Sequence, residues 1–278
     1  MNPRLYRCAF FLVVLAMAAL LSGAFITSTE VSARLSQSSV AGVVVSDTLH
    51  RALAIALTLL TAGIAIWISV GATPRWLRVL AWTGVATLIL DAALGWHAPP
   101  LPASAGVWHA LVSHVFLSIA VAIAFGTSAG WNRDPEIVDG SARPLLRPLA
   151  VATPPVVFLQ IALGAAYRHD MTSVMPHMAV AMGVVFFALI GSSVILQNFP
   201  RPAPLRRAAA TLISIVILQV CLGIAAFLML VLNAAGAGYF VITTVGHLVA
   251  GSATLSVSIV LAMLVCRSVR TRRTQTVD

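Results

Sequence analysis

Eight apolar runs follow one another along the chain with arginines in most of the gaps between them, each near or above the roughly 20 residues that an α-helix needs to cross about 30 Å of hydrocarbon. Such a pattern folds in lipid, where no water satisfies the backbone and only helices or closed barrels can span. The runs lack the period-two alternation of barrel strands. The expected fold class is therefore all-α, a polytopic membrane protein of eight transmembrane helices. Composition agrees, because 60% of the 278 residues are hydrophobic and 9% charged, against about 25% charged in soluble domains. A water-soluble globular protein is excluded.

The spans are expected at about 8–28, 48–70, 76–96, 107–128, 149–167, 174–197, 207–231 and 239–265. Eight spans put both termini on one side of the membrane. The sequence contains no Lys, and of its 17 arginines all but Arg34, Arg51 and Arg168 fall on the side of the termini, which predicts cytoplasmic termini in a bacterial-type inner membrane. The net charge of +9 thus orients the chain, and no nucleic-acid partner is expected. Cys8, Cys221 and Cys266 form no disulfide or metal-ligand pattern. The first run is too long for a signal-peptide core and lacks an A-x-A-like site after it, so it is read as a span. H-E-x-x-H, a phosphate-binding Gly loop and C-x-x-C are absent from the sequence.

The longest loop between spans, polar and Pro-containing, divides the chain nearly in half. The expected organisation is an N-terminal four-helix unit over 1–130, a cytoplasmic linker over 131–148 and a C-terminal four-helix unit over 149–278. A short pattern recurs in three spans: Leu90-Asp91-Ala92-Ala93-Leu94-Gly95, Leu159-Gln160-Ile161-Ala162-Leu163-Gly164 and Leu218-Gln219-Val220-Cys221-Leu222-Gly223. Descent from one repeat and the ordinary recurrence of small residues in packed membrane helices both account for it.

Ionisable groups inside spans are expensive, which makes membrane histidines functional candidates. His50 opens the second span, His114 lies in the fourth, His177 opens the sixth and His247 lies in the eighth. All four fall within roughly 5 to 15 Å of the outer surface, at 1.5 Å per residue. Two facing imidazoles per half make a bis-His axial pair for a haem iron, so these four are the candidate metal ligands. Small residues stand nearby: Ala52, Ala54, Ser113, Ser118, Ala179, Ala181, Gly246 and Gly251. Arg51 and Arg168 suit a bidentate bond to a haem propionate, or anchor to lipid phosphate. His97, His109 and His169 sit at span mouths as weaker ligand candidates, His109 equally as an interfacial partner of Trp108. Asp47, three residues before His50, is either an acid or base above a haem edge or a helix N-cap. Asp91 inside the third span is an interhelical hydrogen-bond donor when protonated or a proton-path residue.

These residues, in this order and topology, resemble the heme A synthase family. The resemblance spans almost the whole chain: His50-Arg51, His114, Gly164-Ala165-Ala166-Tyr167-Arg168-His169, His177 and His247, in two four-helix halves. It implies oxidation of the ring D methyl of haem o to the formyl of haem a by successive hydroxylations, for cytochrome oxidase assembly. It also implies haem b as cofactor on His177 and His247, and haem o as substrate on His50 and His114, supplied by a haem o synthase. Asp47 takes the position of a functionally important family Glu. Two departures stand out, since the loops 29–46 and 168–175 lack the cysteine pairs that many members carry, and Asp47 is shorter than Glu. Electrons come from a donor outside the chain, and homo-oligomers are compatible with the sequence. Three alternatives share features of this reading: a non-catalytic haem-binding assembly or transfer protein, a membrane b-type electron carrier, and a transporter of another solute.

Overall fold

The computed structural model describes residues 2–36, 43–96, 101–234 and 238–270, with the side chains of 34–36 and 43–46 left aside. In chain order the helices are α1 (Pro3–Ser36), α2 (Val43–Val70), α3 (Arg75–Leu94), α4 (Ala103–Thr127), the single turn α5 (Ala129–Asn132), α6 (Leu146–Arg168), α7 (Val174–Asn198), α8 (Ala203–Val231) and α9 (Gly238–Ser268). All but α5 are long and apolar enough to cross a membrane. The chain is a multi-pass membrane protein. The side chain of Arg34, and His97, Arg272 and Arg273 altogether, lie outside the described residues.

The helices overrun their apolar stretches. With 34 residues, α1 is about 51 Å long at 1.5 Å per residue, well beyond the hydrocarbon thickness. Helix α2 begins at Val43, so Asp47 lies inside it rather than at its start. The N-cap reading of Asp47 is therefore corrected. Apolarity marks where a helix is in lipid and is silent on how far it continues into water.

Helices α1 to α4 close a ring through contacts α1–α2, α2–α3, α3–α4 and α1–α4, and α6 to α9 close a second ring in the same order. The rings meet through α1 on α9, α4 on α9 and α4 on α6. Thus α1 corresponds to α6 and α4 to α9. On α1 the buried Leu5, Ala9, Leu12, Ala16 and Ala19 recur every three or four residues, a stripe of mostly small side chains that lets helices approach closely in lipid. Of its best membrane stretch, α4 buries 56% and α3 only 22%, which separates central from peripheral helices. On the periphery Leu59 and Met182 are 70% and 75% exposed. Such faces are satisfied by lipid tails, as apolar as Leu itself.

The loop over 131–148 is not a bare linker. Val138–Asp139 (β1) pairs in parallel with Val269–Arg270 (β2) just beyond α9. Arg267 donates from Nη2 to the Arg133 carbonyl at 2.7 Å and lies 4.5 Å above the Trp131 ring. These contacts dock the loop on the end of α9, opposite the end where the even-numbered spans begin.

Candidate functional site

In each transmembrane helix hairpin one histidine at the same end of the molecule is held in a similar way. His50, His109, His177 and His247 lie seven, six, three and nine residues into α2, α4, α7 and α9, about 5 to 14 Å below the helix starts at 1.5 Å per residue. Each ring packs on a glycine of the preceding helix. A Cβ added at Gly23 would stand 3.3 Å from Cε1 of His50, and at Gly95, Gly164 and Gly223 it would stand 2.9 Å from Cε1 of His109, His177 and His247. At Gly95, Gly164 and Gly223 a Cβ would force the ring to shift, and at Gly23 it would be a tight contact.

Each histidine also bonds to the carbonyl four residues before its glycine. Nδ1 of His50 donates toward the Ala19 carbonyl at 3.2 Å and the nearer Ser22 Oγ at 2.8 Å, of His109 to Asp91 at 3.1 Å, of His177 to Gln160 at 3.1 Å and of His247 to Gln219 at 3.0 Å. A carbonyl can only accept, so the proton sits on Nδ1 and the lone pair on Nε2. This is how a ligating histidine is held: one ring nitrogen donates to a fixed acceptor and the other offers its lone pair to a metal. The short pattern read in the third, fifth and seventh spans thereby acquires a structural role. Its Gly makes room for an imidazole and its polar residue supplies the carbonyl.

The four rings form two pairs. His50 and His109 have centroids 6.0 Å apart with planes at 80°, and His177 and His247 have centroids 6.1 Å apart with planes at 79°. With metal–nitrogen bonds of about 2.0 Å and each nitrogen about 1.1 Å from its ring centre, two imidazoles on opposite sides of one metal would have centroids about 6 Å apart, against about 5 Å at a tetrahedral angle. No group of three or more His, Cys, Asp or Glu is arranged to hold a metal ion among the described residues. Each pair thus supplies two donors and no more. A group that brings its own equatorial donors, as a haem does, fits this set.

The structure brings His109, and not His114, to His50. Deeper in α4, His114 is 2% exposed, donates from Nδ1 to its own helix at Ala110 (2.7 Å) and meets Ser252 Oγ of α9 through Nε2 at 3.0 Å. Ser252 stands five residues beyond His247, as His114 stands five beyond His109. The two occupy corresponding places where the rings of helices meet. His169 packs against Gly106 at the end of α6 and joins neither pair.

The charged candidates surround the same end. Arg51 donates from Nε to Asp47 Oδ2 at 2.8 Å, one turn apart on α2. Arg168, the last residue of α6, crosses to α1 and donates from Nη1 to Thr27 Oγ1 at 2.7 Å and Ser28 Oγ at 2.9 Å. Asp91 bonds across to α4: Ser113 Oγ lies 3.0 Å from both its carboxyl oxygens and 2.9 Å from the His109 carbonyl, and His109 Nδ1 lies 3.0 Å from Oδ1. Gln160 places Nε2 at 3.2 Å from Nε2 of His177, and its buried Oε1 has no hydrogen bond. A metal held at Nε2 of His177 would take the place of that amide.

Compared with known protein families and with curated proteins, the chain matches none. The two histidine pairs are the candidate site. Neither the His50–His109 partnership nor the glycine cradles were legible in the sequence as such, although the recurring Leu-polar-x-x-Leu-Gly pattern was the signal that pointed to them.

Proposed function

We propose that this protein is a haem-binding membrane oxidoreductase of the heme A synthase kind, which converts the ring D methyl of haem o to the formyl of haem a. In this reading His177 and His247 hold haem b, and the substrate haem o is held by His50 with His109. The observation that carries the reading is the pair of imidazoles found twice, with equal spacing, equal tautomer and the same glycine cradle. Bound haem supplies the redox chemistry, as cofactors generally do. The chain's own residues fix both imidazoles of each pair by Nδ1 hydrogen bonds and keep the space beside each ring free of a Cβ. At the same end, the guanidinium of Arg168 suits a propionate, and Asp47, held by Arg51, stands one turn from His50 in the position of the family Glu. The arginine distribution supports cytoplasmic termini, which puts both pairs near the outer face of a bacterial-type inner membrane, with electrons supplied by a partner.

One observation favours a second reading, a non-catalytic haem-binding assembly or transfer protein. The Asp47 carboxylate is tied to Arg51 and would have to leave that pair to act as a base toward substrate. The test is to purify the protein from detergent-solubilised membranes of cells supplied with haem o, take the reduced pyridine-haem spectrum and separate the extracted haems. Haem a or its hydroxylated intermediate, lost in His50→Ala and Asp47→Ala, establishes the synthase. Haem b alone, unchanged by Asp47→Ala, leaves the binding protein, and absence of any haem removes both readings.

A further inference from the structure

The two histidine pairs have the same spacing but not the same surroundings. Behind His177 and His247 the acceptors are the backbone carbonyls of Gln160 and Gln219, whose side chains carry no charge. At the corresponding place behind His109 stands an acid. Nδ1 of His109 donates to the Asp91 carbonyl at 3.1 Å, and the Asp91 carboxylate stands against it with Oδ1 3.0 Å from Nδ1. That carboxylate is 14% exposed and is further held by Ser113 Oγ, 3.0 Å from each oxygen. It also acts electrostatically on His50, the other member of the pair.

From this asymmetry we infer that Asp91 is a positioning residue that lowers the reduction potential of a haem held by His50 and His109 below that of one held by His177 and His247. The physical link is short. A carboxylate accepting from Nδ1–H makes the imidazole a more basic ligand, a more basic axial ligand favours the more highly charged ferric state, and a buried negative charge beside the iron favours it again. Gln160 and Gln219 carry no charge at the positions equivalent to Asp91, so the difference is built into the repeat.

The inference rests on the two-site haem reading, and its test separates the two. Protein loaded with haem b is titrated spectroelectrochemically, and the transition that survives in His177→Ala is assigned to the first pair. That transition is expected at the lower potential. Asp91→Asn moves it upward and leaves the other in place. Ser113→Ala removes a competing donor, leaves the carboxylate freer to polarise Nδ1–H, and moves the same transition downward. If Asp91→Asn sheds its haem, the Ser113→Ala shift decides. Both haems bound with the first-pair transition unmoved in the variants, or with the His177–His247 transition moved instead, overturns the role of Asp91 while the two-site reading stands. A native protein that takes up no haem overturns the reading and the inference with it.

Discussion

His109 and His114 are five residues apart on α4, and five residues of α-helix turn a side chain by about 500°, leaving the two about 140° apart around the axis. One helix cannot aim both at α2. His109 faces His50 while His114 faces α9. Spacing along the chain singled out α4 but not which of its two histidines meets His50, because hydrophobicity in α4 is so uniform that no polar face marks its orientation. His109→Ala is therefore expected to remove the same haem as His50→Ala, halving the haem-to-protein ratio in the pyridine-haem assay, whereas His114→Ala keeps both haems. The glycines make a second residue-level expectation. Gly164→Ala puts a methyl 2.9 Å from Cε1 of His177, and such overpacking costs about 1–3 kcal/mol. It should lower the thermal midpoint and release the haem of the second pair only. Gly183→Ala, whose Cβ would meet only Val156 at 3.9 Å, should match the native protein in both measurements.

At the scale of elements, the cross-link between the two rings of helices at the histidine end includes a charge. Arg168 closes α6 and reaches α1, where Thr27 and Ser28 accept from Nη1 and the Ala24 carbonyl lies at 3.5 Å. Removing the two hydroxyls together leaves that N–H with a poor acceptor in an apolar setting, and a buried donor left unsatisfied costs about 1–3 kcal/mol. Thr27→Val with Ser28→Ala should lower the midpoint of thermal unfolding in detergent. Thr29→Val is the control, since its hydroxyl bonds only to Phe25 of its own helix. Eight helices were legible from apolar length alone, since in lipid that length is what the bilayer selects. The packing order was not, because in lipid the contact faces carry Ala and Gly rather than a hydrophobic stripe against a polar one. The α1 stripe of Ala9, Ala16 and Ala19 looks, as sequence, like the lipid-facing residues around it.

For the whole molecule, the even-numbered spans all begin at the histidine end, and the β1–β2 pair joins the loop after α4 to the segment after α9 at the other. One orientation therefore decides the side for both histidine pairs at once. The bias of arginines toward the loops at the β-pair end reads, by the positive-inside rule, as cytoplasmic. Two exposed serines make the test: Ser141 in the loop before α6 and Ser173 between α6 and α7. In a background with Cys8, Cys221 and Cys266 replaced, Ser173→Cys should react with a membrane-impermeant maleimide in intact spheroplasts, and Ser141→Cys only after the membrane is opened. The reverse pattern would place both histidine pairs near the cytoplasmic face. It would leave the pairs themselves intact, because their glycines and carbonyls come from the helices and not from the side of the bilayer. It would nonetheless require a haem substrate and an electron donor that approach from the cytoplasm.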